Sequence, residues 1–301
     1  MALKLNPERK AYEEFYGRNV DKMPALLADG RSPISIARVE QNRLAYKNGP
    51  EDVKTGWTDS YFDTSDLKAQ RGDEIKLVLT THADGSLTPL GREYLGLINP
   101  EEGERLVRRG AVNLGIGERY EKLQGDGVIV TQRGKLAKVI DEWMTQEQVK
   151  DSLFWRVILR HPDEVPAEFA IPGLHGEAIP YIFGEYQARF AKGTSLDNIE
   201  AMGVFPGQCD KNTSEMRAWV VGMLGYRSVA DGRDGLNYDD GRFVGFSAGG
   251  AERAEQAGSE TTKMKAYTTA DLKAVDEAME GLEGFLNPEV LKPFRELRRK
   301  L

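Results

Sequence analysis

Two kinds of stretch divide this sequence and predict an α+β fold. Short β-prone runs are confined to residues 57–134, and capped segments with an apolar stripe dominate after residue 135. The strands are short and few, so a doubly wound parallel sheet is not expected. The expected architecture is therefore short strands in 57–134 packed with several helices, and a predominantly helical chain after 135. A single α+β unit over 1–301 is expected, with room for a subdivision near 140 into a mixed part (1–140) and a mainly helical part (141–301).

Each element has a local reason. Asn6 and Pro7 suit a helix start, Asn as N-cap and Pro at the first helical position, with a stop near Gly17. Ser32-Pro33 opens a second helix by the same logic, with Ile34, Ile36, Ala37, Val39 and Leu44 as its apolar residues. Residues 75–80 alternate weakly and read as a strand, followed by the Asp84-Gly85 turn. A charged helix is expected over 100–109 and a second strand over 128–131. Thr145 and Gln148 match a capping box, and Val149, Leu153, Phe154, Val157 and Ile158 follow on one helical face. Pro180 interrupts an aromatic stretch at 176–191. Ser214 reads as the cap of a helix through Met216, Val220, Val221 and Leu224. Thr268-Thr269 and Asn287-Pro288 start the last two helices, after a charged connection over 252–265.

Composition narrows the function. The chain has 301 residues and a formal charge of −7. That balance disfavours free nucleic acid, whose binding is driven by neutralising phosphates; the basic end at 295–301 suits a solvated helix terminus. No run without Asp, Glu, Lys or Arg exceeds nine residues, whereas a membrane span needs about 20 apolar ones. The first residues, MALKLNPERKAYEEF, carry no apolar signal core. Cys209 is the single cysteine, so no internal disulfide forms, and with only His82, His161 and His175 a zinc site is hard to assemble. These features predict a soluble cytoplasmic protein without a metal or cofactor, and with no membrane partner.

Two segments carry candidate chemistry. Residues 245–249 spell G-x-S-x-G, the pattern of a nucleophile elbow in which glycines lift the serine, here Ser247, clear of a strand-to-helix turn. No histidine follows Ser247, and only 54 residues remain after it, too few for the rest of an α/β-hydrolase. The second segment is the loop 227–242, with Asp231, Asp234, Asp239 and Asp240 among Arg227, Arg233 and Arg242. It reads first as a guanidinium–carboxylate network. Its second reading is an anion site, since arginine forks suit carboxylate and phosphate. Its third is a metal loop, although the spacing is not that of an EF-hand.

Weaker candidates are the glycine-rich 110–117, a His161/Asp163/His175/Glu177 cluster, and an aromatic rim of Trp57, Tyr61 and Phe62 beside Asp59, Asp63 and Asp66.

Three stretches, 57–67 (WTDSYFDTSDL) with 76–79, 145–155, and 217–219 through 240–245, resemble uncharacterised proteins of archaea with small genomes. The resemblance implies an intracellular archaeal or archaeal-virus protein and carries no site residues. The leading expectation is a binding or interaction protein with a small anionic ligand or a protein partner, using Arg227, Asp231, Arg233, Asp234, Asp239, Asp240 and Arg242. The alternatives are a serine hydrolase using Ser247 and a structural or assembly protein, cellular or viral, that forms oligomers through 176–191.

Overall fold

A computed structural model describes residues 3–5, 11–103, 110–115, 118–224 and 228–247. The chain divides into two units, Met1–Glu252 and Arg253–Leu301, and the described residues lie in the first. The expected helices from Thr268 and Asn287, the connection 252–265 and the basic end lie outside them.

The elements run in this order: β1 (Tyr12–Tyr16), α1 (Asn19–Ala28), β2 (Ser32–Pro33), α2 (Ile36–Ala45), α3 (Glu51–Thr58), β3 (Phe62–Arg71), β4 (Glu74–Val78), α4 (Pro89–Leu95), α5 (Pro100–Gly103), β5 (Val112–Asn113), α6 (Glu118–Lys122) and β6 (Val128–Gln132). Then come β7 (Met144–Thr145), α7 (Gln146–Lys150), α8 (Leu153–Ile158), α9 (Leu174–Phe190), β8 (Glu200–Ala201), β9 (Gly203–Phe205), β10 (Glu215–Val221), β11 (Val229–Asp231) and β12 (Arg242–Phe246).

Ten of the strands form one mixed sheet with the path β1-β12-β3-β10-β11-β9; β2 joins β12, β4 lies between β3 and β6, and β5 joins β10. β12–β3 and β11–β9 are parallel and the remaining pairs antiparallel. Long β3 organises the sheet. One edge takes β10 along its length, and the other takes β12 at Asp63 and β4 from Leu67 onward. A hydrophobic cluster covers each face. Trp57, Phe154, Trp155, Trp219 and Val221 belong to one; Val20, Met23, Leu67, Met216 and Phe243 belong to the other.

This architecture corrects the expected fold class. The chain is built around a large mixed sheet, not around helices with a few strands in 57–134. Strands lie before residue 57, and after residue 135 the chain supplies six more, including seven-residue β10. The reason is visible in β10 itself. All seven of its residues are buried, and a strand covered on both faces reads as a continuous apolar run that a buried helix also produces. Ser214 therefore precedes a strand and caps no helix. Two further helix starts are corrected. Residues 12–16 are a strand, registered on β12 from Tyr12↔Phe246 to Tyr16↔Arg242. Ser32-Pro33 is β2, and the helix begins at Ile36 with Ser35 as the N-cap, its Oγ accepting from the Arg38 amide at 3.2 Å. Residues 6–10 lie outside the described set.

Other local rules hold. The capping box at Thr145 is present in both directions, Gln148 amide to Thr145 Oγ1 and Thr145 amide to Gln148 Oε1. The expected single helix beyond it is two, α7 and α8, the second capped afresh by Ser152. Pro180 sits inside α9 and does not end it.

Candidate functional site

The segment between β11 and β12 is pinned at both ends and the middle, at its start by the Gly232 amide donating to the Phe205 carbonyl at 2.9 Å. Leu236 is buried; its amide donates to the Gly110 carbonyl (2.9 Å), and its carbonyl accepts from the Val20 amide (3.1 Å). The Gly241 carbonyl accepts from the Gly17 amide at 2.8 Å. A side chain at Gly241 would place Cβ 2.2 Å from Asn19 Oδ1 and 2.6 Å from the Gly17 carbonyl. Only glycine fits that approach.

The loop arginines are held by carboxylates. Arg233 makes a fork onto Asp231, Nε to Oδ1 at 2.9 Å and to Oδ2 at 3.1 Å, and its guanidinium lies 4.6 Å from the centre of the Phe205 ring. Arg242 pairs with Glu14 at 2.8 Å and lies over the rings of Tyr61 and Tyr16. The expected guanidinium–carboxylate network is thus formed for Asp231 and Arg233, while Arg242 uses a strand partner outside the loop. Asp239 is exposed, and Arg227 lies outside the described residues.

Between this loop, α1 and the start of β3 opens a cleft of about 370 Å³. Its charged lining, among the described residues, is four aspartates: Asp63, Asp231, Asp234 and Asp240. Tyr61 and Tyr238 add aromatic faces, and the Tyr61 hydroxyl donates to the Asp240 carbonyl. Asp63 is buried and accepts two hydrogen bonds, from Asn19 Nδ2 at 2.7 Å and from the Arg242 amide at 2.6 Å. Burial pushes its carboxyl above the usual range. Burial also raises Asp234, with the charges of Asp231 and Asp63 adding to it, to about 6.

Asn19, 2% exposed, belongs to this lining. Its Oδ1 is buried, has no hydrogen-bond partner, and lies against Gly241 in the lining. A buried polar atom left unpaired is uncommon and calls for a reason.

Strand register puts this cleft on one face of the sheet. Asp63 pairs with Val220, and Val220 with Asp231, so the three share a face. Lys68 and Arg217, paired with each other, fall on the opposite face. There a second cavity of about 590 Å³ opens beside Lys68, Glu215 and Arg217.

The aromatic rim seen in the sequence splits in two. Trp57 and Phe62 are core, and Asp66 is sealed on Arg160 at 2.7 Å; Tyr61 and Asp63 line the cleft. The alternation of β3 was the signal that could have made this division. Asn19 carried no sequence signal, because only the fold brings the start of α1 to residue 241.

The remaining candidates are not assembled. The Ser247 amide donates to the Ala11 carbonyl at 3.1 Å, and among the described residues its hydroxyl meets no histidine or carboxylate. His161 and His175 stack edge to face at 5.3 Å. Among the described residues no three of His, Cys, Asp and Glu converge so as to hold a metal ion. No described helix is long and apolar enough to cross a membrane.

No family model and no curated protein matches the chain. A solved structure is similar to it, from a study of the accommodation of massive sequence variation in Nanoarchaeota by the C-type lectin fold. The TM-score is 0.51 and the identity 16%, over 81% of this chain and 100% of that one. The likeness shows a C-type lectin-like fold. The neighbour comes from Nanoarchaeota, which are small-genome archaea, and no family model or curated protein ties this chain to them by sequence.

Proposed function

We propose that this chain is a binding protein and that the acidic cleft is its ligand site, taking an organic cation with an ammonium or guanidinium group. The observation that carries the reading is Asn19 Oδ1, an unpaired buried acceptor beside four aspartates. An ammonium or guanidinium group supplies what such a site lacks, several N–H donors and positive charge. The rings of Tyr61 and Tyr238 favour the same ligand through cation–π attraction. The volume lies within the usual range for small-molecule sites.

In this reading Asp234 and Asp240 receive the ligand, Asp231 is already held by Arg233, and Arg233 and Arg242 position the walls. An anion held by Arg227, Arg233 and Arg242 is the weaker reading of the same loop, because Arg233 and Arg242 already lie on carboxylates. A fold that accommodates massive sequence variation in another protein is compatible with function carried by loops.

Thermal melting with agmatine and with putrescine at pH 7.5 tests the proposal. A ligand that prefers the native state raises the melting point with its concentration. The expected result is a dose-dependent rise that Asp234→Asn removes. No shift at about 10 mM of either amine, or an equal shift in Asp234→Asn, would overturn it.

A further inference from the structure

The cavity on the opposite face has a different charge balance. Lys68 forms its floor and is 1% exposed. Its Nζ donates to the carbonyl of Pro206. Among the described residues no carboxylate lies within ion-pair distance of it, and the neighbouring charges are spoken for. Arg217 pairs with Glu215 at 3.2 Å, Arg233 with Asp231 at 2.5 Å, and Asp141 with Arg133. One positive charge is left over, buried at the bottom of an opening. Leaving an unpaired cation out of water is costly to the fold.

We infer that this cavity is an anion site, whose ligand is a small molecule with a single carboxylate or phosphate head seated on Lys68 Nζ. The ligand's negative charge completes the count that the protein leaves open. Lysine serves such a head as a point charge, and the paired Arg217 beside it adds to the positive field. The mouth is kept clear by Gly207. It has φ +73°, and a Cβ there would lie 3.0 Å from Arg233 Cγ. Glycine thus leaves Arg233 room to lie on Phe205. At about 590 Å³ the opening takes a ligand considerably larger than its head group.

Burial lowers the Lys68 pKa to about 8, against the pull of Glu215. The amine therefore loses its charge within an accessible range, and anion affinity should fall from pH 7 to pH 9. Titration with inorganic phosphate and, separately, with acetate tests the inference, followed by calorimetry and by melting. The expected result is binding of at least one probe, phosphate alone marking a phosphate head and acetate alone a carboxylate head. Affinity should drop at least about tenfold in Lys68→Met, the effect of losing a charge-assisted hydrogen bond. Lys68→Arg keeps the charge and the response. Without anion, Lys68→Met should melt no lower than wild type, so a folding failure would be visible directly. Wild-type protein that ignores both probes, a methionine variant that binds as wild type, or an affinity unchanged between pH 7 and pH 9 would each overturn the inference. Asp234→Asn should leave the anion response intact, which separates this site from the acidic cleft.

Discussion

Asp63 and Asp66 stand three residues apart on β3, and their side chains meet opposite worlds. Asp66 is sealed between Arg160 (2.7 Å) and the amide of Ile36 (2.8 Å), with its charge answered inside the fold. Asp63 is as deeply buried, but its partners are an amide side chain and a backbone N–H, and its surroundings are other aspartates. The same residue type on the same strand is a structural strut on one face and a wall of an open, unbalanced cleft on the other. A buried carboxylate with a counter-charge holds the protein together; under the proposed function, one without a counter-charge is left for a ligand.

The sharpest test of that contrast is Asp66→Ala. It strands Arg160 without a counter-charge, and breaking a buried pair in this way costs about 3–5 kcal/mol. The melting temperature should fall by roughly 10 °C. A loss below about 1 kcal/mol would remove the distinction between the two faces. Gly241→Ala comes next. The added methyl meets the Gly17 carbonyl as well as Asn19, and overpacking against backbone costs about 1–3 kcal/mol. An alanine variant as stable as wild type would show that the cleft wall is not fixed there.

Asp234→Asn should act in the opposite direction. The Asp234 carboxyl titrates near 6 in the folded protein, against 3.8 when unperturbed. The folded state therefore holds this proton more tightly than the unfolded chain does. Its contribution to stability is present below pH 3.8 and is lost as pH rises through 6. Removing the charge should raise stability at pH 7.5, by no more than about 1 kcal/mol for a partly exposed group, and should flatten the decline between pH 4 and 7. A variant that melts lower at pH 7.5 would assign Asp234 a structural role. Tyr238→Ala is the smallest change. The side chain is 50% exposed, so stability should stay within about 0.5 kcal/mol of wild type. Agmatine affinity should fall about two- to fivefold, the value of an exposed cation–π contact; an unchanged affinity would remove Tyr238 from the site.

Sequence reasoning reached the parts of this molecule that local chemistry decides. The strands at 75–80 and 128–131 and the capping box at Thr145 follow from turns, alternation and side-chain caps. β10 escaped it because a strand buried on both faces loses the period-two signature. β1 escaped it because residues 12–16 are held by pairing with β12, 226 positions away at Tyr16↔Arg242 and 234 at Tyr12↔Phe246. At the site, the loop 227–242 stood out for its charges, and Asp231 and Arg233 do pair. Its division of labour was not legible. Which loop aspartates face the cleft depends on where α1 and β3 arrive, and Asn19, Tyr61 and Asp63 come from those elements. Lys68 gave no sign of itself, because a lysine in a strand reads as solvent-facing until the strands on both sides are known.

The central claim is that the acidic cleft receives an organic cation, and calorimetric titration of agmatine into wild type and Asp234→Asn across pH 5 to 7.5 tests it most directly. With Asp234 titrating near 6, wild-type affinity should rise about tenfold over that range as the carboxyl ionises. Near pH 6 binding should release a fraction of a proton, and the asparagine variant should show neither effect. Agmatine that fails to bind, or that binds with a pH-independent affinity shared by both proteins, would contradict the account.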